Sequence, residues 1–188
     1  MKKFFLLGCF SILFLSATNS YALVTEIGAT YSYSKKTFNS MNYYQTEAKG
    51  ASLSLYFIAK LALELNYTDQ FYESQESDIN STRIVQQSSQ IYGADLIYVF
   101  TDQQSILQPY IKGGGAYIAK KKQVKYTNAD VINIPTKDGM APSYGVGLKF
   151  KLNEKFSIKV GYDVWQTPLD DGSKSDDTSF KAGLSWYL

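Results

Sequence analysis

From residue 23 onward the chain has no long apolar run and no helical periodicity. Apolar and polar positions instead alternate in stretches of roughly ten residues, the length a tilted β-strand needs to cross a bilayer. A side-chain period of two assigns each stretch one apolar face. Eight faces can be placed. They carry Leu23, Ile27, Ala29, Tyr31 and Tyr33; Ala51, Leu53, Leu55 and Phe57; Leu61, Leu63, Leu65 and Tyr67; and Tyr92, Ala94, Leu96, Tyr98 and Phe100. The second half gives Leu107, Pro109, Ile111 and Tyr117; Tyr144, Val146, Leu148, Phe150 and Leu152; Phe156, Ile158, Val160, Tyr162 and Val164; and, at the end, Phe180, Ala182, Leu184, Trp186 and Leu188.

The connections alternate in length. Short ones fall at Ala59-Lys60, Thr101 to Ser105 and Asn153-Glu154-Lys155; long polar ones are expected at 35–49, 72–86, 120–141 and 166–178. Tight turns at one rim and long loops at the other predict an all-β fold, an eight-stranded antiparallel up-and-down transmembrane β-barrel over residues 23–188. The even strand number puts both termini at the turn rim. Aromatic residues sharpen the prediction: Phe57, Tyr98, Phe100, Phe150, Phe156 and Trp186 end the apolar faces on the turn side, while Tyr31, Tyr33, Tyr67, Tyr117, Tyr144 and Tyr162 end them on the loop side. Two such rings suit the two headgroup interfaces of a membrane. Strand propensity alone explains aromatic abundance but not this clustering.

The first 22 residues read differently. Lys2 and Lys3 precede an apolar run from Phe4 to Leu15 that is too short to span, and Ser20-Tyr21-Ala22 offers small residues at the cleavage positions, so residues 1–22 are read as a secretory signal peptide. Leu6-Leu7-Gly8-Cys9 loosely matches a lipobox, but cleavage before Cys9 would strand Phe10 to Leu15 on the mature chain. Removal after Ala22 leaves 166 of 188 residues, enough for one ordinary domain. Cys9, the only cysteine, leaves with the leader, which excludes a disulfide, a thiol nucleophile or a cysteine metal site in the mature chain. Losing Lys2 and Lys3 also leaves 17 basic against 17 acidic residues, so net charge gives no argument for nucleic-acid binding.

The closing strand resembles that of outer-membrane β-barrel proteins, with Leu188 where the family usually has Phe. Gln108-Pro109-Tyr110-Ile111-Lys112-Gly113-Gly114-Gly115-Ala116-Tyr117 looks like the Pro-Tyr, glycine-rich fifth strand of eight-stranded barrels similar to the OmpA transmembrane domain and the OmpX/Ail group. Tyr144 to Phe150 with Lys159 to Asp163 looks like the hairpin that follows it. The resemblance implies a cell outer-membrane location, a closing strand read by the barrel-assembly machinery, and contact with outer-membrane lipids and lipopolysaccharide. No residues are left for a peptidoglycan-binding domain of the OmpA kind.

Turning the apolar faces to lipid directs Glu26, Glu64, Asp95 and Asp163 inward together with Lys112, Lys149, Lys159 and Lys181. Four acids interleaved with four bases fit either a polar pore or a neutral salt-bridge network, completed by Tyr110, Tyr187 and Gln and Ser residues. Eight strands leave room for side chains and little else, which favours the network. Histidine is absent, which argues against the base-activated nucleophile of lipid-modifying barrel enzymes. No catalytic residue, metal site or cofactor is expected, and no phosphate loop or dinucleotide fingerprint is present.

Function is then expected at the loops. Lys120, Lys121, Lys122 and Lys125, with Tyr126, form a basic start to the third loop, a candidate contact for lipopolysaccharide phosphates. Asp170 to Asp177 lacks calcium-loop spacing. Phe38, Met41, Tyr43 and Tyr44 give the first loop apolar surface for a host or envelope partner. A structural or surface-interaction role leads. A small-solute channel of OmpW type, a lipid-modifying enzyme and a soluble lipocalin-like barrel with reversed faces stay open.

Overall fold

A computed structural model describes residues 24–188 except 40, 79–80, 128 and 169–173. The predicted leader, Leu23 and residues 170–173 of the Asp170 segment lie outside the described residues. Nine strands follow in chain order: β1 Val24–Thr37, β2 Tyr43–Ile58, β3 Leu61–Asp78, β4 Ser81–Val99, β5 Leu107–Tyr126, β6 Ala129–Ile134, β7 Gly139–Lys151, β8 Phe156–Pro168 and β9 Lys174–Tyr187. Eight close a ring. Each is antiparallel to its neighbours in the order β4, β3, β2, β1, β9, β8, β7, β5, and β4 pairs with β5 to complete it. The short β6 pairs with the upper part of β5 on the edge that β7 takes lower down, so it continues that wall above β7.

Side-chain parity follows the sequence prediction. Ile27, Leu53, Leu65, Leu96, Ile111, Val146, Leu148 and Leu184 all point outward and are exposed, as a lipid-facing surface requires. The rings lie where expected: Phe156 stacks on Trp186 at 6.0 Å near the turn rim, and Tyr67 meets Tyr92 at 5.1 Å on the other side.

The predicted loops need correction. Much of what was read as loop is ladder. β1 and β2 stay paired from Val24 opposite Tyr56 to Thr37 opposite Tyr43, and β3 and β4 from Leu61 opposite Tyr98 to Asp78 opposite Ser81. The polar segment 72–86 is therefore a β-hairpin whose two faces both meet water, which removes the alternation that would have revealed it. The 120–141 segment likewise holds the end of β5 and all of β6.

Interior side chains are layered along the barrel axis. Toward the turns lies an apolar cluster of Tyr56, Ala62, Ile97, Val99 and Tyr110. Toward the hairpins lies a second, made of Ile91, Ala116, Ile118, Ala141 and Trp165. The ionised residues sit between and among these layers. Tyr110 fits only because Gly147 and Gly161, which face each other on β7 and β8, have no side chains; a Cβ on either would collide with the phenol.

Candidate functional site: the sealed lumen and the hairpin rim

All eight inward charges reach the lumen, and the side chain of each is at most 10% exposed. They are not interleaved as the sequence suggested. Glu64 lies directly opposite Asp95 across β3 and β4, and Lys149 directly opposite Lys159 across β7 and β8. Like charges side by side repel. Relief comes from the adjoining β5 and from across the barrel. Lys112 of β5 reaches Asp163 at 3.0 Å, Glu64 at 3.3 Å and Asp95 at 3.6 Å, so three carboxylates converge on one ammonium. Lys159 also pairs with Glu64, Lys181 pairs with Asp163 at 3.1 Å, and Lys149 pairs with Glu26 nearer the turns.

Neutral groups complete the network. Tyr56 donates to Glu26 at 2.8 Å while its oxygen accepts from Lys149. Ser54 donates to Glu64 at 3.2 Å, Asn66 to Asp95 at 2.8 Å, and Ser143 also donates to Asp95. Lys181 donates to Thr68 at 3.0 Å and lies 4.6 Å above the Trp165 ring. Among the described residues no buried side-chain nitrogen or oxygen lacks a partner. Of the neutral residues expected in this network, Tyr110 is buried and its ring lies below the ammonium groups of Lys149 and Lys159 at 5.7 and 5.2 Å. Tyr187 packs at its turn end. Tyr56 and Asn66 escaped the sequence reading; their inward parity was the signal available.

The space left over is small. A cavity of about 30 Å³ lies among Glu64, Lys112, Lys159, Asp163 and Lys181. A water needs roughly 10–15 Å³ on that measure, so two or three fit there. A larger cavity of about 340 Å³ opens at the turn rim, lined by Val24, Tyr56, Val99, Lys151 and Tyr187 among others.

At the hairpin rim the four lysines part company. Lys120 turns inward and pairs with Asp177 at 3.1 Å, and Asp177 also accepts from Thr167 at 2.6 Å. This corrects the expectation that Lys120 is available to an external phosphate: its ammonium is already neutralised across the barrel mouth. Lys121, Lys122 and Lys125 lie on the outer reach of β5, paired in register with Ser88, Gln87 and Ile84 of β4. At the first hairpin Phe38 and Met41 are exposed, whereas Tyr43 and Tyr44 are half-buried. Tyr43 donates to Glu73 at 2.7 Å, and this hydrogen bond to a carboxylate raises the phenol's pKa above its ordinary value.

The family profile described as the outer membrane protein beta-barrel domain matches residues 5–187. The chain belongs to that family. It is therefore an integral protein of the Gram-negative outer membrane, with its short turns toward the periplasm as is general for such barrels. Solved structures agree on the fold. The N-terminal β-barrel domain of Pseudomonas aeruginosa OprF is 18% identical with a TM-score of 0.54, the match covering 88% of this chain and 97% of that one. OprG of the same organism is 13% identical with a TM-score of 0.60, covering 89% and 96%. Neisserial surface protein A is 13% identical with a TM-score of 0.55, covering 88% and 97%. No curated protein matches the chain.

Proposed function

We propose that this barrel is closed to solutes and works as a structural and surface-interaction protein, presenting its long hairpins outside the cell. The observation that carries this reading is the sealed interior: a neutral, fully paired charge network between two apolar layers, with a cavity of about 30 Å³ at its centre. A buried charge network of this kind holds a shape; transport would require charges that can exchange partners with water. The absence of histidine from the chain supports a non-enzymatic role. In this reading Lys121, Lys122 and Lys125 contact lipopolysaccharide phosphates, and the exposed Phe38 and Met41 contact a host or envelope protein. The terminal strand, ending Trp186-Tyr187-Leu188, is the segment offered to the assembly machinery.

Planar-bilayer recording on purified protein tests the reading. The expected result is no steady conductance. Stable, ion-selective currents, changed in selectivity by Glu64→Gln, would instead assign a small-solute channel. Shortening the first hairpin by removing Phe38 to Met41 should leave the heat-modifiable band intact while lowering adherence of expressing cells to host-cell or lipopolysaccharide-coated surfaces; unchanged adherence counts against the surface role.

A further inference from the structure

The cavity of about 340 Å³ at the turn rim has a size the sealed network above it does not explain. Small-molecule sites occupy roughly 300–1,000 Å³. Its inner end is apolar: Tyr56 and Val99 are buried in the turn-side cluster, and Val24 and Tyr187 pack against them. The Tyr56 hydroxyl is engaged by Glu26 and Lys149, so the ring is what it offers the cavity. Polar groups gather at one place. The Lys151 ammonium donates to the Gln103 carbonyl at 2.8 Å, and the Gln108 amide nitrogen donates to the same carbonyl at 2.9 Å and to that of Ser105 at 3.2 Å, so ammonium and amide lie side by side. Each keeps unused capacity. Among the described residues no carboxylate pairs with Lys151, which otherwise lies 5.9 Å above the Tyr187 ring. Gln108 is 3% exposed, and among the described residues no group donates to its carbonyl oxygen. Since no enclosed side-chain oxygen among them lacks a partner, this one is not enclosed, and the space it meets is the cavity that Gln108 lines.

We propose that this cavity is a binding site for a small apolar α-hydroxy acid, entered from the periplasm. Complementarity selects the class. A carboxylate supplies the counter-charge that Lys151 lacks, the hydroxyl on the next carbon donates to the Gln108 oxygen beside it, and an aromatic or branched body covers Tyr56, Val99, Val24 and Tyr187. A cationic ligand would meet Lys151, and an amino acid would set its own ammonium beside that of Lys151. A hydrocarbon without polar groups would strip water from the ammonium and the amide oxygen and replace none of their hydrogen bonds. The chain does not supply its own occupant: once the expected leader is removed, Leu23 alone precedes Val24. Behind the site stand Tyr56 and the Glu26–Lys149 pair, so the ligand enters and leaves by the same mouth. This is capture without passage, and it holds whether or not the hairpins engage a partner.

The exported protein is placed in lipid nanodiscs, which keep detergent out of the cavity, and titrated by calorimetry with phenyllactate, empty discs giving the baseline. One site per barrel is expected. Phenylpropionate, which lacks the hydroxyl, should bind about tenfold more weakly, the worth of one hydrogen bond; phenylalanine should bind more weakly still, and phenethylammonium should not bind. Lys151→Met should lower phenyllactate affinity at least about tenfold. Ala59→Trp, which fills the mouth from an exposed turn position, should abolish binding, whereas Lys121→Met on the hairpin wall should bind as wild type does. Each variant is checked for the heat-modifiable band, and if Lys151→Met fails to assemble, Ala59→Trp and the ligand series decide. Methyl NMR should show phenyllactate shifting Val24 and Val99. Heat no greater than that of empty discs, undiminished affinity in Lys151→Met or Ala59→Trp, or shifts that spare Val24 and Val99 overturn the site. Equal affinity for phenylpropionate or phenylalanine overturns the α-hydroxy acid as its ligand.

Discussion

Within the membrane and above it, the same strands carry charge in opposite ways. Inside the barrel, every acid and base named above is buried and shares its charge with several partners, as Glu64 does with Lys112, Lys159 and Ser54. On the projecting hairpins the pairs are exposed: Lys49 with Glu47 at 3.0 Å, and Arg83 with Glu76 at 3.5 Å. Water already solvates the exposed pairs, so their coupling contributes on the order of 0–1 kcal/mol. In the lumen, loss of one partner strands the other in a space with no water to replace it. The stability of the molecule is therefore concentrated below the upper tyrosine ring, and the hairpins above it are free to serve recognition.

The most damaging change to the lower region is removal of Trp186 to Leu188. It deletes the stack on Phe156 and the hydrogen bond from the Leu188 amide to the Thr25 carbonyl at 2.9 Å, which closes the β1–β9 seam. Assembly should fail outright, seen as loss of the heat-modifiable band from outer-membrane fractions. Glu64→Gln comes next, at about 3–5 kcal/mol, because Lys112 and Lys159 lose their shared counter-charge. Urea titration in liposomes should show the lower midpoint, whereas Glu76→Gln on the hairpin should move it by less than about 1 kcal/mol. A midpoint equal to wild type for Glu64→Gln would remove the distinction between the two regions.

Leu148→Arg tests the outer wall at the same depth. Leu148 is exposed opposite Val160, and an arginine there should cost about 2–4 kcal/mol in lipid. Lys149→Ser, one position along but inward, should destabilise by a different route, leaving Glu26 without its ammonium. The smallest effect belongs to the hairpins. Because Glu73 favours the protonated form of Tyr43, that hydrogen bond contributes stability fully present below the ordinary phenol value of 10.0 and lost as pH rises through the raised folded-state value. Glu73→Gln should bring the Tyr43 titration, followed by NMR of ring-labelled protein, back toward the ordinary value without moving the global unfolding midpoint.

How much of this was legible in the sequence follows the same division. Where one face meets lipid, the alternation was clear enough to assign Leu148 outward and Lys149 inward, one residue apart. Where both faces meet water the period vanishes, and the ladder from Ser81 to Gln86 falls within the expected loop 72–86. The apolar interior layers were hidden for the opposite reason: Val99 beside Phe100, and Trp165 beside Val164, make both parities apolar. Charge pairing could not be read from spacing at all. Lys149 and Glu26 are 123 residues apart, and the like-charge neighbours Glu64 and Asp95 acquire meaning only when Lys112 of β5 and Lys159 of the far wall are in place.

That last arrangement governs how the protein can fold. A partly zipped sheet of β1 to β4 would hold two carboxylates side by side with no cation near, and a β7–β8 hairpin two ammonium groups likewise. Adding β5 brings Lys112 to the carboxylates, but the two ammonium groups meet Glu26 and Glu64 only when the ring is closed. Half-built barrels are therefore penalised while complete ones are rewarded, and contacts spanning 95 and 123 residues are made last. The ammonium pair thus favours the closed ring over an open sheet, and a barrel that stops one strand short is expected to assemble poorly.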